Sequence, residues 1–188
     1  KKVDLLIVGG GMANTFLSAR GLSVGKSLQE PGFIGTVDSI LSQAAESNCK
    51  VVLPSDAVVA KELKEHVPVE VVPVGEVSPD MMILDAGPRS IEEFSAHIGK
   101  CKTLLWNGPV GAFEVPPFGE GTFALARVAA RLTEEGKLVT VAGGGDTVAA
   151  LNAAGVTNKF TYVSTAGGAF LEWLEGRTLP GVVALARA

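Results

Sequence analysis

A glycine cluster followed by an aspartate lies between a strand-like run and a helix-like run at Val139–Ala149, VTVAGGGDTVA. Glycine lets the backbone adopt positive φ and lets a ligand approach closely, and a helix start offers unpaired N–H groups that suit phosphate. A carboxylate at Asp146 would repel that phosphate unless a cation lies between them, so this interpretation predicts Mg²⁺ at Asp146. The alternative is that Asp146 is only the N-cap of the helix, which would stabilise the helix by roughly 1 kcal/mol.

A second cluster, WNGPVGAFE, follows another strand-like run. Pro109 offers a rigid apolar face, Gly108 and Gly111 permit close approach, and Phe113 and Glu114 follow. An apolar shelf beside a carboxylate suits a nucleoside, because the base can lie on the shelf while Glu114 accepts hydrogen bonds from ribose hydroxyls. The alternative is a rigid loop whose glutamate caps another group or faces water.

Three stretches that look like standard nucleotide motifs do not match them. GLSVGKS has three residues between its glycines where a P-loop needs four, and it follows a helix, so we expect Lys26 to be a solvent-exposed lysine. GGGMAN and GGGDTV carry Asn14 and Val148 where the dinucleotide fingerprint has its last glycine. An NAD-type oxidoreductase domain is therefore disfavoured.

Composition excludes several classes of protein. The chain has 188 residues, of which 47% are apolar and 19% charged, so it can bury one sizeable core and is not a disordered tail. The net charge of −4, without a basic cluster, makes nucleic acid and anionic membranes poor partners. Cys49 and Cys101 lie in no metal or redox motif, which predicts reduced, buried thiols in a cytoplasmic protein. Because the chain begins with Lys rather than Met, we expect a piece of a longer protein.

The elements that position these clusters are alternating strands and helices. Seven apolar, β-branched runs predict strands that are covered on both faces: Val3–Val8, Lys50–Pro54, Val69–Val74, Met81–Asp85, Thr103–Asn107, Leu138–Ala142 and Phe160–Ser164. Helical periodicity predicts helices between them: Met12–Arg20, Thr36–Ser47, one starting at Ser90 with Glu93 completing a capping box, Gly121–Glu135, Asp146–Ala154 and Ala169–Glu175.

This order predicts an α/β fold of the three-layer, Rossmann-like kind, with a mostly parallel sheet and a single domain over residues 1–188. Residues 67–88 have less helical character and predict a small antiparallel excursion. Ligands of such folds bind at the carboxyl ends of the strands. Four strand ends carry glycine clusters, GGGM, WNGPVGAFE, AGGGDT and STAGGA, and we expect them to lie on one edge.

These motifs together resemble the C-terminal, nucleotide-binding domain of the phosphoglycerate kinase family. The resemblance is collinear over essentially the whole chain, through VDLLIVGGGMANTFL, VGKSL, VVLPSDAVVA, ILDAGP, LLWNGPVGAFE, AGGGDTVAAL and VSTAGGAFLEWLEGRTLPGVVAL. WNGPVGAFE and GGGDT are its most specific parts. The family transfers a phosphoryl group reversibly between 1,3-bisphosphoglycerate and Mg-ADP in glycolysis, and its two-lobed monomers bind phosphoglycerate on the N-terminal lobe.

The resemblance implies a role for each matching position. Gly10, Gly11, Leu28 and Leu84 would border the adenine, Gly108, Pro109 and Phe113 would form the base shelf, and Glu114 would hold the ribose. Gly144, Gly145 and Thr147 would bind the nucleotide phosphates, and Asp146 would bind Mg²⁺. Gly167 and Gly168 would begin the helix that faces the transferred group.

The sequence departs from the family pattern at two positions, and its glycine clusters lack one feature that the reaction needs. Ala166 and Ile83 stand where the family commonly has glycine, near the transfer site and the adenine respectively. No glycine cluster has a Lys or Arg beside it, although phosphoryl transfer needs cations near the phosphates. We therefore expect this chain to hold most of the nucleotide site of a phosphoglycerate kinase and to be inactive alone. The alternative is a standalone nucleotide-binding or regulatory module.

Overall fold

The structure is a computed structural model that describes residues 3–164, 166, 168, 169, 172, 176–180, 183 and 184. The chain divides into two compact units. Unit 1 comprises Lys1–Ile98 and Pro109–Leu125, and unit 2 comprises Gly99–Gly108 and Ala126–Ala188.

Unit 1 contains five strands, three complete α-helices and the beginning of a fourth among its described residues. In chain order these are β1 (Leu5–Ile7), α1 (Gly10–Ala19), α2 (Ile34–Glu46), β2 (Lys50–Val52), β3 (Asp56–Ala60), β4 (Glu70–Pro73), β5 (Met82–Ala86) and α3 (Pro88–Ile98), with a 3-10 helix at Pro31–Phe33. The remaining elements are β6 (Thr103–Asn107), α4 (Glu120–Glu134), β7 (Val139–Gly143), α5 (Gly145–Ala153), a 3-10 helix at Thr157–Lys159 and β8 (Tyr162–Val163).

Two of the three sheets formed by the described residues are parallel. In unit 1, β1 pairs with β2 in parallel, and a separate antiparallel sheet has the order β4-β3-β5. In unit 2, β6, β7 and β8 form a parallel sheet in that order. The prediction of a mixed α/β fold with mainly parallel pairing and a small antiparallel part is confirmed.

The carboxyl ends of three strands meet on one edge of unit 2. Asn107 at the end of β6 is in register with Gly143 at the end of β7, and Ala142 is in register with Val163 of β8. The amide of Ser164 continues this ladder by donating to the carbonyl oxygen of Ala142 at 2.8 Å. The glycine clusters that follow β6, β7 and β8 therefore begin at a shared edge, as expected for parallel strands.

The core of each unit is built by the apolar faces of these elements. In unit 1, Val8, Ala13, Phe16 and Val37 join β1, α1 and α2 in one buried cluster. In unit 2, the rings of Trp106 and Phe160 lie 6.3 Å apart, centroid to centroid, at a tilted angle of 55°. No helix in the described parts of the chain is both long enough and apolar enough to cross a membrane.

The antiparallel sheet is larger than the sequence predicts. The predicted excursion at residues 67–88 contains β4 and β5, but their common partner, β3, lies before it at Asp56–Ala60. No strand was predicted at β3. Its pairing with strands that are more distant in sequence decides its conformation.

The predicted capping box at Ser90 is wrong. Helix α3 begins two residues earlier, at Pro88. The Ser90 hydroxyl lies within α3 and contacts β3, where it donates to an Asp56 carboxyl oxygen at 2.6 Å. That carboxyl group also accepts from the amides of Arg89 at 3.1 Å and Ser90 at 2.7 Å. A carboxylate from β3, rather than a residue of the helix, therefore satisfies the first turn of α3.

Two further expectations have different outcomes. Cys49 and Cys101 are half-buried, so the prediction of buried thiols is wrong. Both directly precede or follow turns, where neighbouring elements cover them only in part. The helix predicted at Ala169–Glu175 falls largely on residues outside the described part of the chain.

Candidate functional site

Unit 1 contains an apolar cavity that brings five of the predicted site residues together. Its volume is about 330 Å³, within the range of about 300–1,000 Å³ that is usual for small-molecule sites. Its lining includes the predicted residues Gly10, Gly11, Leu28, Leu84 and Pro109. Because these residues come from α1, the loop after it, β5 and the loop after β6, the cavity is a product of the tertiary fold.

The glycines at the start of α1 allow the main chain of two segments to approach closely. The Gly10 amide donates to the Val110 carbonyl oxygen at 3.2 Å. Gly10 has φ +59°, and an added Cβ at Gly9 would lie 2.6 Å from Val110 Cγ1. The first glycine cluster therefore allows Val110 to pack against the start of α1. The Gly10 amide is already hydrogen-bonded to Val110 and is not available to donate to a phosphate.

The segment of residues 109–114, here named the shelf segment, forms one wall of the cavity. The Ala112 amide donates to the Leu84 carbonyl oxygen at 2.8 Å, and the Val110 amide donates to Thr122 Oγ1 at 3.1 Å. The segment is thus fixed to β5 on one side and to the first turns of α4 on the other. Phe113 is half-buried and Glu114 is exposed, and neither lines the cavity.

Asp85 in the cavity wall is a residue that the sequence reasoning missed. It is 2% exposed at the end of β5. Its Oδ2 accepts from the Gly121 amide at 2.8 Å and its Oδ1 accepts from the Ala86 amide at 2.8 Å. Burial raises the pKa of this carboxyl group to about 7, because the loss of hydration destabilises the ionised form more than the hydrogen bonds from the two amides stabilise it. The signal in the sequence that could have indicated this residue is the single acidic side chain at the end of the apolar run MMILD.

Asn14 and Ile83 also contribute to the cavity wall. Asn14 is 3% exposed, and its Nδ2 donates to the Leu28 carbonyl oxygen at 3.1 Å. Its Oδ1 is buried with no hydrogen-bond partner among the described residues. Ile83 lines the cavity, and its amide donates to Ser27 Oγ at 2.7 Å. Ser27 belongs to GLSVGKS, so this stretch supports β5, and its Lys26 is exposed as expected.

In unit 2, the loop after β6 is joined to the start of α5. The Gly108 amide donates to Thr147 Oγ1 at 2.7 Å, and Thr147 is 2% exposed. Gly144 has φ +96°, and an added Cβ would lie 2.7 Å from Asn107 Oδ1. Glycine is therefore required at Gly144 both by the backbone conformation and by the neighbouring amide.

Asp146 is the second residue of α5 and not its N-cap. The N-cap is Gly144, which makes no side-chain capping hydrogen bond, so the alternative interpretation of Asp146 as N-cap is wrong. Asp146 is exposed in the first helical turn. Among the described residues, no group of three or more His, Cys, Asp or Glu side chains could hold a metal ion. A lone, accessible carboxylate fits Mg²⁺ only as one ligand beside phosphate oxygens and water.

The last glycine cluster is described only in part. Gly168 is exposed, and an added Cβ there would meet none of the described atoms within 4 Å. Gly167 lies outside the described residues. The Ala166 amide donates to Ser164 Oγ at 3.3 Å.

Positive charge is absent from the described lining of the cavity. Asp85 is the only ionisable side chain among those lining residues. The cavity can therefore receive an uncharged, flat group such as a base, but it cannot neutralise phosphate by itself.

Comparison with known proteins identifies the family. The phosphoglycerate kinase family profile matches residues 1–177 of the chain. The chain belongs to the phosphoglycerate kinase family. A phosphoglycerate kinase from Methylobacterium radiotolerans is 61% identical over 184 residues, which are 98% of this chain and 46% of that protein. One from Agrobacterium fabrum is 57% identical over 188 residues, which are 100% of this chain and 47% of that protein.

Solved structures of family members have the same fold. The structure of phosphoglycerate kinase from Coxiella burnetii matches with a TM-score of 0.89 and 45% identity, covering 94% of this chain and 45% of that one. The crystal structure of the enzyme from Pyrococcus horikoshii matches with a TM-score of 0.80 and 26% identity, covering 97% of this chain and 45% of that one. The chain spans about half the length of the curated relatives that it matches.

The raised pKa of Asp85 predicts a pH dependence of stability. The pKa of an unfolded aspartate is about 3.9, so between roughly pH 4 and 7 the folded chain holds a proton that the unfolded chain has lost. The stabilisation that this raised pKa gives to the folded chain is fully present below about pH 4 and is lost as the pH rises through about 7. The free energy of unfolding falls by at most about 1.4 kcal/mol per pH unit in this range. The free energy of unfolding from urea titrations should therefore fall with pH more steeply in the wild type than in Asp85→Asn.

Asp80→Asn is the matched control. Lys61 lowers the pKa of the exposed Asp80, so this carboxylate is ionised throughout the window from pH 5 to 8 and its removal should preserve the wild-type slope. Parallel profiles for the wild type and Asp85→Asn would contradict the prediction.

Proposed function

We propose that this chain is the nucleotide-binding part of a cytoplasmic phosphoglycerate kinase. The complete enzyme transfers a phosphoryl group reversibly between 1,3-bisphosphoglycerate and Mg-ADP, giving 3-phosphoglycerate and Mg-ATP. Family membership supports the reaction, and the cavity of unit 1 supports the assignment of this chain to the nucleotide.

The cavity is the observation that carries the proposal for unit 1. Its walls are apolar, and the main chain forms part of them at Gly10, Gly11 and Pro109, where a flat base could lie against the backbone. Leu28 and Leu84 would cover the two sides of the base. Glu114, which is exposed on the shelf segment, would accept hydrogen bonds from the ribose, and Gly108 and Phe113 would form part of the base shelf alongside Pro109.

Unit 2 would bind the phosphates and the metal ion. Gly144, Gly145 and Thr147 lie at the first turn of α5, where a helix attracts anions. Asp146 is exposed in that turn and would hold Mg²⁺ together with phosphate oxygens. The bound Mg²⁺ would neutralise charge on the phosphates, which a carboxylate alone would repel. Gly167 and Gly168 would face the transferred group.

The reaction also requires cations that the described site residues do not supply. Charge spread over the transferred phosphoryl group must be neutralised by Lys or Arg side chains as well as by Mg²⁺. The chain covers less than half of its curated relatives, so the missing cations and the phosphoglycerate site would come from the remainder of a complete enzyme. This supports binding without turnover by the chain alone.

Leu28→Ala should weaken the binding of Mg-ADP without affecting folding. Leu28 is 77% exposed and lines the cavity, so its side chain contributes to a ligand rather than to the core. Loss of apolar contact worth about 1 kcal/mol would raise the Kd roughly fivefold in isothermal titration calorimetry.

Met12→Ala is the control for Leu28→Ala. Met12 is 67% exposed on α1 and does not line the cavity, so its removal should leave the Kd unchanged. Equal effects of the two substitutions would argue against a base in this cavity.

Asp146→Ala should weaken nucleotide binding more in the presence of Mg²⁺ than in its absence. The carboxylate assists binding only through the metal, and without metal it repels the phosphates. Calorimetric titrations of ADP with Mg²⁺ and with a chelator measure the two effects, and Asp38→Ala, an exposed carboxylate on α2, serves as control. The metal role is rejected if both conditions show the same loss.

The 188-residue chain should bind Mg-ADP and show no phosphoglycerate kinase turnover in a coupled assay. The polypeptide from the complete reading frame should show turnover. If that polypeptide also lacks activity while retaining nucleotide binding, the chain is a standalone nucleotide-binding module instead.

A further inference from the structure

Asp85 joins its own strand to two separate segments at the cavity of unit 1. It belongs to β5, its Oδ2 accepts from the Gly121 amide at 2.8 Å, and an added Cβ at Gly111 would overlap its Oδ1. An added Cβ at Gly121 would lie 2.6 Å from the same oxygen. The shelf segment and the start of α4 are therefore both packed directly against this carboxyl group.

The hydrogen bond from the Gly121 amide to Asp85 gives a partner to one of the unpaired amides at the beginning of α4. This helix starts at Glu120, so the Gly121 amide lies in its first turn and has no partner within the helix. A side-chain oxygen in this place supplies the acceptor that an unpaired amide at a helix start needs. The same side chain accepts from the Ala86 amide, which fixes its orientation relative to β5.

Two hydrogen bonds that shelf-segment amides donate lie next to the two anchoring points of Asp85. Ala112 is tied to Leu84, the residue before Asp85, at 2.8 Å. Val110 is tied to Thr122, the residue after Gly121, at 3.1 Å. A shift of the first turn of α4 away from Asp85 would therefore move Thr122 and break the hydrogen bond of the Val110 amide, leaving Val110 tied only through its carbonyl oxygen to Gly10 among the described hydrogen bonds.

Asp85 is unsuited to direct contact with a ligand. It is 2% exposed, and both of its carboxyl oxygens accept hydrogen bonds from the main chain. Its influence on a bound group must pass through residues that it holds in place, of which Pro109, Val110, Gly111 and Ala112 line the cavity.

We propose that Asp85 is a positioning residue, which fixes the shelf segment and the start of α4 on the end of β5 so that the cavity has its base-binding shape before a nucleotide arrives. This inference rests on the proposed nucleotide binding by unit 1. Preorganised walls reduce the ordering cost of binding, so the loss of this anchor weakens nucleotide binding in particular.

The test compares Asp85→Asn and Asp85→Ala in the polypeptide from the complete reading frame, with steady-state kinetics for both substrates. Asn keeps the shape and one acceptor, and Ala removes both acceptors. The KM for the nucleotide should rise about threefold for Asn and about tenfold or more for Ala, since misplaced binding groups cost up to about 100-fold. The kcat at saturating nucleotide and the KM for the phosphoglycerate substrate should stay within about twofold of the wild type, because uniform binding of the nucleotide is what is lost.

Asp80→Asn is the matched control, since Asp80 is exposed and paired only with Lys61 in the described contacts. If Asp85→Ala does not fold, Asp85→Asn decides the test alone, because it is close to the wild type in volume. The inference is overturned if folded variants keep the wild-type nucleotide KM, or if kcat and both KM values deteriorate together, as a general loss of structure would cause. A wild-type protein that does not bind nucleotide would instead overturn the proposed function.

Discussion

A buried carboxyl group is the interaction on which the architecture of unit 1 depends. The side chain of Asp85 is buried, and its burial is tolerated because two backbone amides donate hydrogen bonds to it. These amides belong to different segments, so the requirement to satisfy one side chain fixes the end of β5 relative to the start of α4. Two amides of the shelf segment bond to the neighbours of those two positions, and the Val110 carbonyl oxygen accepts from Gly10, so the Asp85 contacts help to place this wall of the cavity.

Main-chain proximity is the second constraint, and it explains why glycine occupies several positions around the cavity. At Gly9, Gly111 and Gly121 an added methyl group would overlap a neighbouring side chain. A site assembled in this way recognises a ligand by shape and by backbone groups, with few charged side chains. In the proposed function, charge at the phosphates would come from a bound cation and from the remainder of a complete enzyme. The chain spans about half the length of its curated relatives.

Local sequence patterns predicted most of the elements, and long-range contacts decided the rest. The strand at Thr103–Asn107 has the predicted bounds, and the helices at Gly10–Ala19 and Glu120–Glu134 begin within two residues of the prediction. β3 was missed because only its pairing with β4 and β5 makes it a strand. The start of α3 was misplaced because Asp56, distant in sequence, satisfies its first turn. The glycine clusters led to candidate residues of which several line one cavity, but the contacts of Asp85 depend on the position of Gly121 in space.

The division of the chain into units is interrupted in sequence, and this affects the order in which the protein can fold during synthesis. The chain leaves unit 1 after Ile98 and returns to it at Pro109, and a strand of unit 2 lies between these two parts. An emerging polypeptide that ends before Pro109 has the antiparallel sheet but lacks one wall of the cavity, so apolar residues such as Ile83 and Leu84 are still uncovered. Domains commonly fold as units while they leave the ribosome. Here, however, completion of the first unit must wait for residues made after the second unit has begun.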